Sequence, residues 1–182
     1  METIMATEIA AGTLGGSAPA QTFTLKSREL GGQLTQKQYA SGMGFNGENQ
    51  SPHLYWENAP KETQSFAVTV YDLDAPTGSG FWHWVVFNIP QHIHELAPGA
   101  GDPDKHLLPP EAIQSNTDVG APGYVGAAPN EGPAHRYLIT VYALSKKLDL
   151  DKNVTPAFVG FNMHFATLAQ ASLVVYGQKQ QH

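Results

Sequence analysis

The chain of 182 residues contains no cysteine. That excludes a disulfide framework, a thiolate nucleophile and any thiolate-ligated metal, and it suits a reducing compartment. Charged side chains are scarce, at 14% of residues, with a net charge of −6 and no basic cluster. The electrostatic footprint of a nucleic-acid-binding protein is therefore missing. No apolar run approaches the roughly 20 residues that span a bilayer. No unit repeats along the chain. The G-x-S-x-G elbow of serine hydrolases is absent, and so is the βαβ rhythm of nucleotide-binding folds.

What is present is apolar and heavily punctuated. Hydrophobic residues make up 41% of the chain, too many at this low charge for disorder. The 18 glycines and 13 prolines imply many turns between short elements. The length suits one domain with a core of its own. Residues 1–21 read as a tail and 22–182 as the domain. The N-terminus lacks a basic n-region and an unbroken apolar h-region, which argues for a cytoplasmic protein. Ala18-Pro19-Ala20 nevertheless resembles the small-residue end of a signal peptide, so a periplasmic location stays open.

Three segments read as strong strands: Ser65 to Asp72, Phe81 to Ile89, and His135 to Leu144. In the first, Phe66, Val68 and Val70 share a face. The second is apolar on both faces, which predicts a central, buried strand. Thr22 to Lys26 and Ala171 to Tyr176 read as an opening and a closing strand, and Leu54-Tyr55-Trp56 is a short apolar run in a loop-like stretch. Residues 91–133 are long and irregular, with a short helix expected near Pro110 to Gln114. Thr155-Pro156 is a helix N-cap and first-turn signature. Phe158, Phe161, Phe165 and Leu168 follow at helical spacing and predict the apolar face of that helix. The pattern implies a mostly-β fold, an antiparallel Greek-key β-sandwich with a C-terminal helix.

Polar groups stand beside the three strong strands. Asp72 ends the first, with Asp74 close behind. His83 interrupts the second, and His135 and Tyr137 share a face of the third. Such groups are costly inside apolar strands unless they are paired. If the strands are neighbours, a carboxylate can accept from one imidazole nitrogen while the other donates to an anion. Tyr137 offers a hydroxyl, and the glycine-rich run Gly120 to Gly132 offers backbone N–H groups. On pattern alone, the same residues also suit ordinary core positions and an Asx-turn at Asp72. Asp72, Asp74, His83 and His135 could equally supply the two-His, two-carboxylate site of a metal-dependent hydrolase. His92-Ile93-His94-Glu95 follows Pro90 into an irregular stretch and reads as a solvated loop.

Four ordered blocks carry a family resemblance. Asp72-Leu73-Asp74-Ala75-Pro76 resembles the DPDAP signature of phosphatidylethanolamine-binding proteins. His83 to Pro90 (HWVVFNIP) resembles the block that follows it in the bacterial, Raf-kinase-inhibitor-like branch. Gly126 to Tyr137 (GAAPNEGPAHRY) resembles the family's GxxPPxGxHRY segment, and Ser51 to Trp56 (SPHLYW) an upstream SPxLxW element. The resemblance spans about residues 22 to 177. It implies two antiparallel sheets, a C-terminal helix and an apo pocket for a phosphate or phosphoryl head group, with no cofactor and no catalytic residues. The ligand-binding residues it implies are Asp72, Asp74, His83, Ala127, Ala128, Pro129, His135 and Tyr137, with Phe81 at the rim. It further implies a protein partner, such as a kinase or protease, in some relatives, and a homodimer. Leu73 stands where the family usually has proline, and Asn130 replaces the second proline of the PP pair.

Overall fold

The computed structural model describes residues 21–179. The tail expected over residues 1–21 lies, but for its last residue, outside them. The strands are β1 (Thr24–Lys26), β2 (Ser41–Gly42), β3 (Phe45–Asn46), β4 (Leu54–Glu57), β5 (Ser65–Asp72), β6 (Phe81–Pro90), β7 (Glu95–Leu96), β8 (Ile113–Gln114), β9 (His135–Leu144) and β10 (Thr167–Gly177), with one helix, α1 (Pro156–His164). The large sheet has the order β10-β9-β5-β6-β8 and the small one β1-β4-β7, while β2 and β3 form a hairpin. The strand pairs are antiparallel. Among the described residues, no helix is long and apolar enough to cross a membrane.

The main core lies between the sheets. Leu25, Leu54 and Trp56 of the small sheet meet Phe66, Val68, Val70, Trp84, Val86, Ile139 and Val141 of the large one. The opposite face of the large sheet carries Ala67, Val85, Phe87 and Leu144, packed against Val159 and Met163 of α1. β5 and β6 are thus covered on both faces, which is what their nearly unbroken apolar sequences require. Asn88, with φ of 57°, sits at an irregularity where the β5–β6 register shifts. Its buried amide donates to the Leu148 carbonyl and accepts the Leu148 N–H, fixing the chain that leads to α1.

Two expectations fail. Residues 110–114 are not helical. The short helical turn lies earlier, at Pro103–Lys105, and Ile113–Gln114 pairs with β6 instead. Pro109 and Pro110 have no N–H to give a helix, and the Gln114 side chain accepts the indole N–H of Trp84 at 2.6 Å.

α1 begins as expected, with the Thr155 hydroxyl capping the Phe158 N–H. Its buried residues, however, are Pro156, Val159 and Met163. Phe158, Phe161 and Phe165 are 48%, 61% and 68% exposed, and Leu168 already belongs to β10. The helix carries two apolar stripes, and the anchored Leu148 segment and the cap turn the slimmer one toward the sheet. Phe161→Ser is therefore expected to change unfolding free energy by no more than about 0.5 kcal/mol. Met163→Ala should cost about 3 kcal/mol. Equal costs in denaturant titration would put the aromatic stripe back in the interior.

Candidate functional site

The three central strands end at one level. Asp72, the last residue of β5, lies opposite Phe81 at the start of β6 and opposite Tyr137 near the start of β9. Asp72, Phe81, His83, His135 and Tyr137 therefore converge at one end of the large sheet. His83 owes its position to a β-bulge. Val70 pairs with Trp84 and Tyr71 with Trp82, which leaves His83 without a counterpart on β5. The extra residue breaks strict alternation. Trp84 fills the inter-sheet core, and its neighbour His83 lines a cavity above it.

Asp72 is buried and both its oxygens are engaged. Oδ2 lies 2.7 Å from Nδ1 of His135, and Oδ1 accepts the Asp74 N–H at 2.9 Å. Asp74 turns outward. Its carboxylate accepts from the Arg136 backbone N–H at 2.7 Å, from Nε at 3.0 Å and from Nη2 at 2.8 Å. These bonds to the guanidinium and backbone of Arg136 lower the pKa of Asp74 to about 2. Asp74 thus clamps the turn after β5 onto β9. Leucine at position 73 contributes to the same clamp, since its N–H donates to the Arg136 carbonyl at 3.0 Å. A proline there could not.

Nδ1 of His83 lies 2.8 Å from the Val125 carbonyl. The ring packs against Phe81, with centroids 4.9 Å apart, and edge-on against Tyr137 at 5.4 Å. Burial holds the His83 pKa below the ordinary histidine value, against the opposing pull of the Val125 carbonyl and Asp72. Tyr137 is buried behind the two imidazoles, and among the described residues its hydroxyl has no hydrogen-bond partner. Burial, and then the nearby Asp72 charge, push the phenol pKa upward.

The cavity measures about 340 Å³. Asp72, His83 and His135 are its titratable part, and Thr77 and Asn130 add a hydroxyl and a side-chain amide. Met43, Pro76, Phe81, Val119 and Val125 form apolar walls. Much of the glycine-rich wall has its backbone committed elsewhere. Val125 N–H donates to the His83 carbonyl and Ala127 N–H to the Gln38 carbonyl, while Gly126 N–H donates to Oδ1 of Asn49. Ala127 and Pro129 are buried. Ala128 lines the cavity, and its N–H makes no hydrogen bond among the described residues.

Comparison with known families places nearly all of the described chain in one of them. Residues 24–178 fit the family model described as phosphatidylethanolamine-binding protein. The chain belongs to the phosphatidylethanolamine-binding protein family. It is 48% identical over 144 residues to UPF0098 protein YbhB of Escherichia coli, which covers 79% of this chain and 90% of YbhB. It is 44% identical to YbcL of the same organism, over 86% of this chain and 88% of YbcL. The crystal structure of YbcL, described as a new member of the mammalian PEBP family, superposes with a TM-score of 0.84, covering 87% of this chain and 99% of that one.

Within this family member, the structure brings Asp72, His83, His135 and Ala128 to the cavity, with Phe81 in its wall. Asp74, Ala127, Pro129 and Tyr137 stand behind or beside it. Of the four residues considered as a metal set, Asp72, His83 and His135 share the cavity and Asp74 does not. Asp74 is committed to Arg136, and among the described residues no cluster of three or more His, Asp or Glu is placed to hold a metal ion. Met43 and Val119 carry no local signal, since they come from the β2–β3 hairpin and a distant loop. Arg136 was legible only as part of the HRY block. A separate buried histidine, His53, bonds Glu95 at 2.7 Å, so the second half of the His92–Glu95 loop is partly structured rather than wholly solvated.

Proposed function

We propose that this chain is a binding protein whose cavity takes the phosphoryl head group of a small ligand of the phosphoethanolamine type. The observation that carries this reading is the buried Asp72–His135 pair, braced by the Asp74 N–H, in the wall of a cavity of about 340 Å³. Nδ1 of His135 is committed to Asp72, so the ring is oriented and its Nε2 is the atom left for a ligand. His83 supplies a second ring, and the Ala128 N–H and Asn130 amide are further donors. The apolar walls suit the carbon substituent of an ester better than inorganic phosphate. The family name points to the same head group. A serine nucleophile or a metal-bound water has no support in this arrangement, so binding rather than hydrolysis is the reading favoured.

Calorimetric titration of phosphoethanolamine and of inorganic phosphate tests this. Saturable binding is expected for the native chain, with at least about a tenfold loss, roughly 1.4 kcal/mol, in His135→Ala. Equal binding to both proteins would remove the site from this cavity.

A further inference from the structure

Among the described residues the cavity offers an anion no permanent positive charge, since no lysine or arginine of theirs lines it. Arg136, on the same strand as His135, is held outside by its bidentate bond to Asp74. The titratable groups in its wall are Asp72, His83 and His135. An entering phosphoryl group therefore meets a carboxylate, and imidazolium is the sole positive charge these walls can muster.

Hydrogen-bond arithmetic sharpens the problem. A neutral imidazole has one N–H. At His83 that proton must sit on Nδ1, because its partner 2.8 Å away is a carbonyl, which only accepts. Nε2 is then a bare lone pair, with no protein partner among the described residues. An anion presents lone pairs as well. The two can bond only if a proton comes between them.

The two cavity histidines are not equivalent in this respect. His135 has a carboxylate on its Nδ1, so positive charge on that ring is already partnered. His83 has a neutral carbonyl. The charged and titratable groups facing it are Asp72 from β5, His135 and Tyr137 from β9, and Asp118 from the segment between β8 and β9. The two carboxylates favour a charged ring and His135 opposes it, but burial outweighs them and holds the pKa of the ring below the ordinary histidine value.

On the reading of the cavity as a phosphoryl site, we propose that His83 takes up one proton from solvent on Nε2 as the anion binds, so that the true ligand is an anion together with a proton. The new Nε2–H then donates to a phosphoryl oxygen, and the imidazolium supplies the charge that the walls lack. The sign of the pH effect follows. The free-state pKa of His83 is depressed, and the bound anion raises it. Between those two values affinity should climb about tenfold for each unit by which pH falls, and it should level off below the free-state value.

The test is calorimetric titration of phosphoethanolamine at mildly alkaline pH, where its phosphate is fully deprotonated. The titration is repeated in bis-tris propane and in Tris, two cationic buffers that both hold that pH and differ in ionisation enthalpy. The dependence of the observed heat on buffer enthalpy counts the protons. The native chain should take up close to one proton per ligand. His83→Gln, whose amide donates without titrating, should bind with none. Binding by the native chain without proton uptake would overturn the proposal and leave the phosphoryl site standing. Uptake that persists in His83→Gln would place the proton on His135 or on the ligand, and also overturn it. No saturable heat at all would overturn the phosphoryl site, and this proposal with it. Independently of any variant, the ¹⁵N resonance of His83 Nε2 in the native chain should move on saturation from the lone-pair range to the protonated range. An unmoved resonance would count against the assignment.

Discussion

Asp72→Ala should abolish phosphoethanolamine binding and cost the fold about 3 kcal/mol. Asp72 is 3% exposed and serves two donors, Nδ1 of His135 at 2.7 Å and the Asp74 N–H at 2.9 Å. Removing the carboxylate strands both donors in a place water reaches poorly. Each bond to a charged acceptor carries about 1.5–3 kcal/mol, and the deserted partners bear a desolvation cost of their own. The Asp74–Arg136 clamp survives and limits the damage to the turn. Asp72→Asn separates the two roles. Its amide oxygen can still accept one of the two bonds, so the stability loss should be smaller while binding is still lost, because the oriented His135–carboxylate pair is gone. Urea titration checks the stability arm through a shift of midpoint at unchanged slope. A loss below about 1 kcal/mol for the alanine variant would mean that the pair contributes little to holding the strand ends together.

The second large effect is expected at Gly126. A Cβ there would lie 2.6 Å from both Cα and N of Ala40 and 2.7 Å from Oδ1 of Asn49, which accepts the Gly126 N–H. The first two are backbone atoms, so no rotamer change relieves the clash. Either the cavity wall moves outward or the segment after Tyr39 moves away. Overpacking of this kind costs about 1–3 kcal/mol, and Gly126→Ala is placed at the upper end because backbone must shift. Affinity should fall with stability, since Val125 and Ala128 flank the displaced residue and both line the cavity. Gly160→Ala is the control. Nothing lies within 4 Å of a Cβ at that helical position, and alanine should add up to about 1 kcal/mol. A Gly126→Ala protein as stable as the native chain would show that the wall is far more plastic than its backbone bonds suggest.

β5 and β9 could be read from the sequence with their ends in place, because their runs of β-branched and aromatic residues stop at turn formers on both sides. β6 was legible as a central strand because it is apolar on both faces. The pairing of Asp72 with His135 was not legible. It depends on β5 and β9 being neighbours in one register, a contact across 63 positions. The side on which His83 lies was hidden too, since strict alternation would put His83 and Trp84 on opposite faces, and a bulge sets them on the same one.

The helix shows the same division. Thr155 and Pro156 signalled its start through local backbone chemistry, which the neighbouring residues settle among themselves. Which stripe it buries is a contest between Val159 with Met163 and the three phenylalanines, and the approach angle set by Asn88 and Leu148 decides it. The sequence by itself determined what short-range physics controls: strand positions, turns, the cap, the absence of sulfur chemistry, and the ordered motifs that mark the family. Only the tertiary structure decided what arises when distant strands are brought into register: the bulge that aims His83, the carbonyl that takes the proton of its Nδ1, the clamp that removes Asp74 and Arg136 from the cavity, and the walls that Met43 and Val119 bring from far along the chain. Those outcomes follow from long-range packing and hydrogen-bond satisfaction, which no stretch of neighbouring residues encodes on its own.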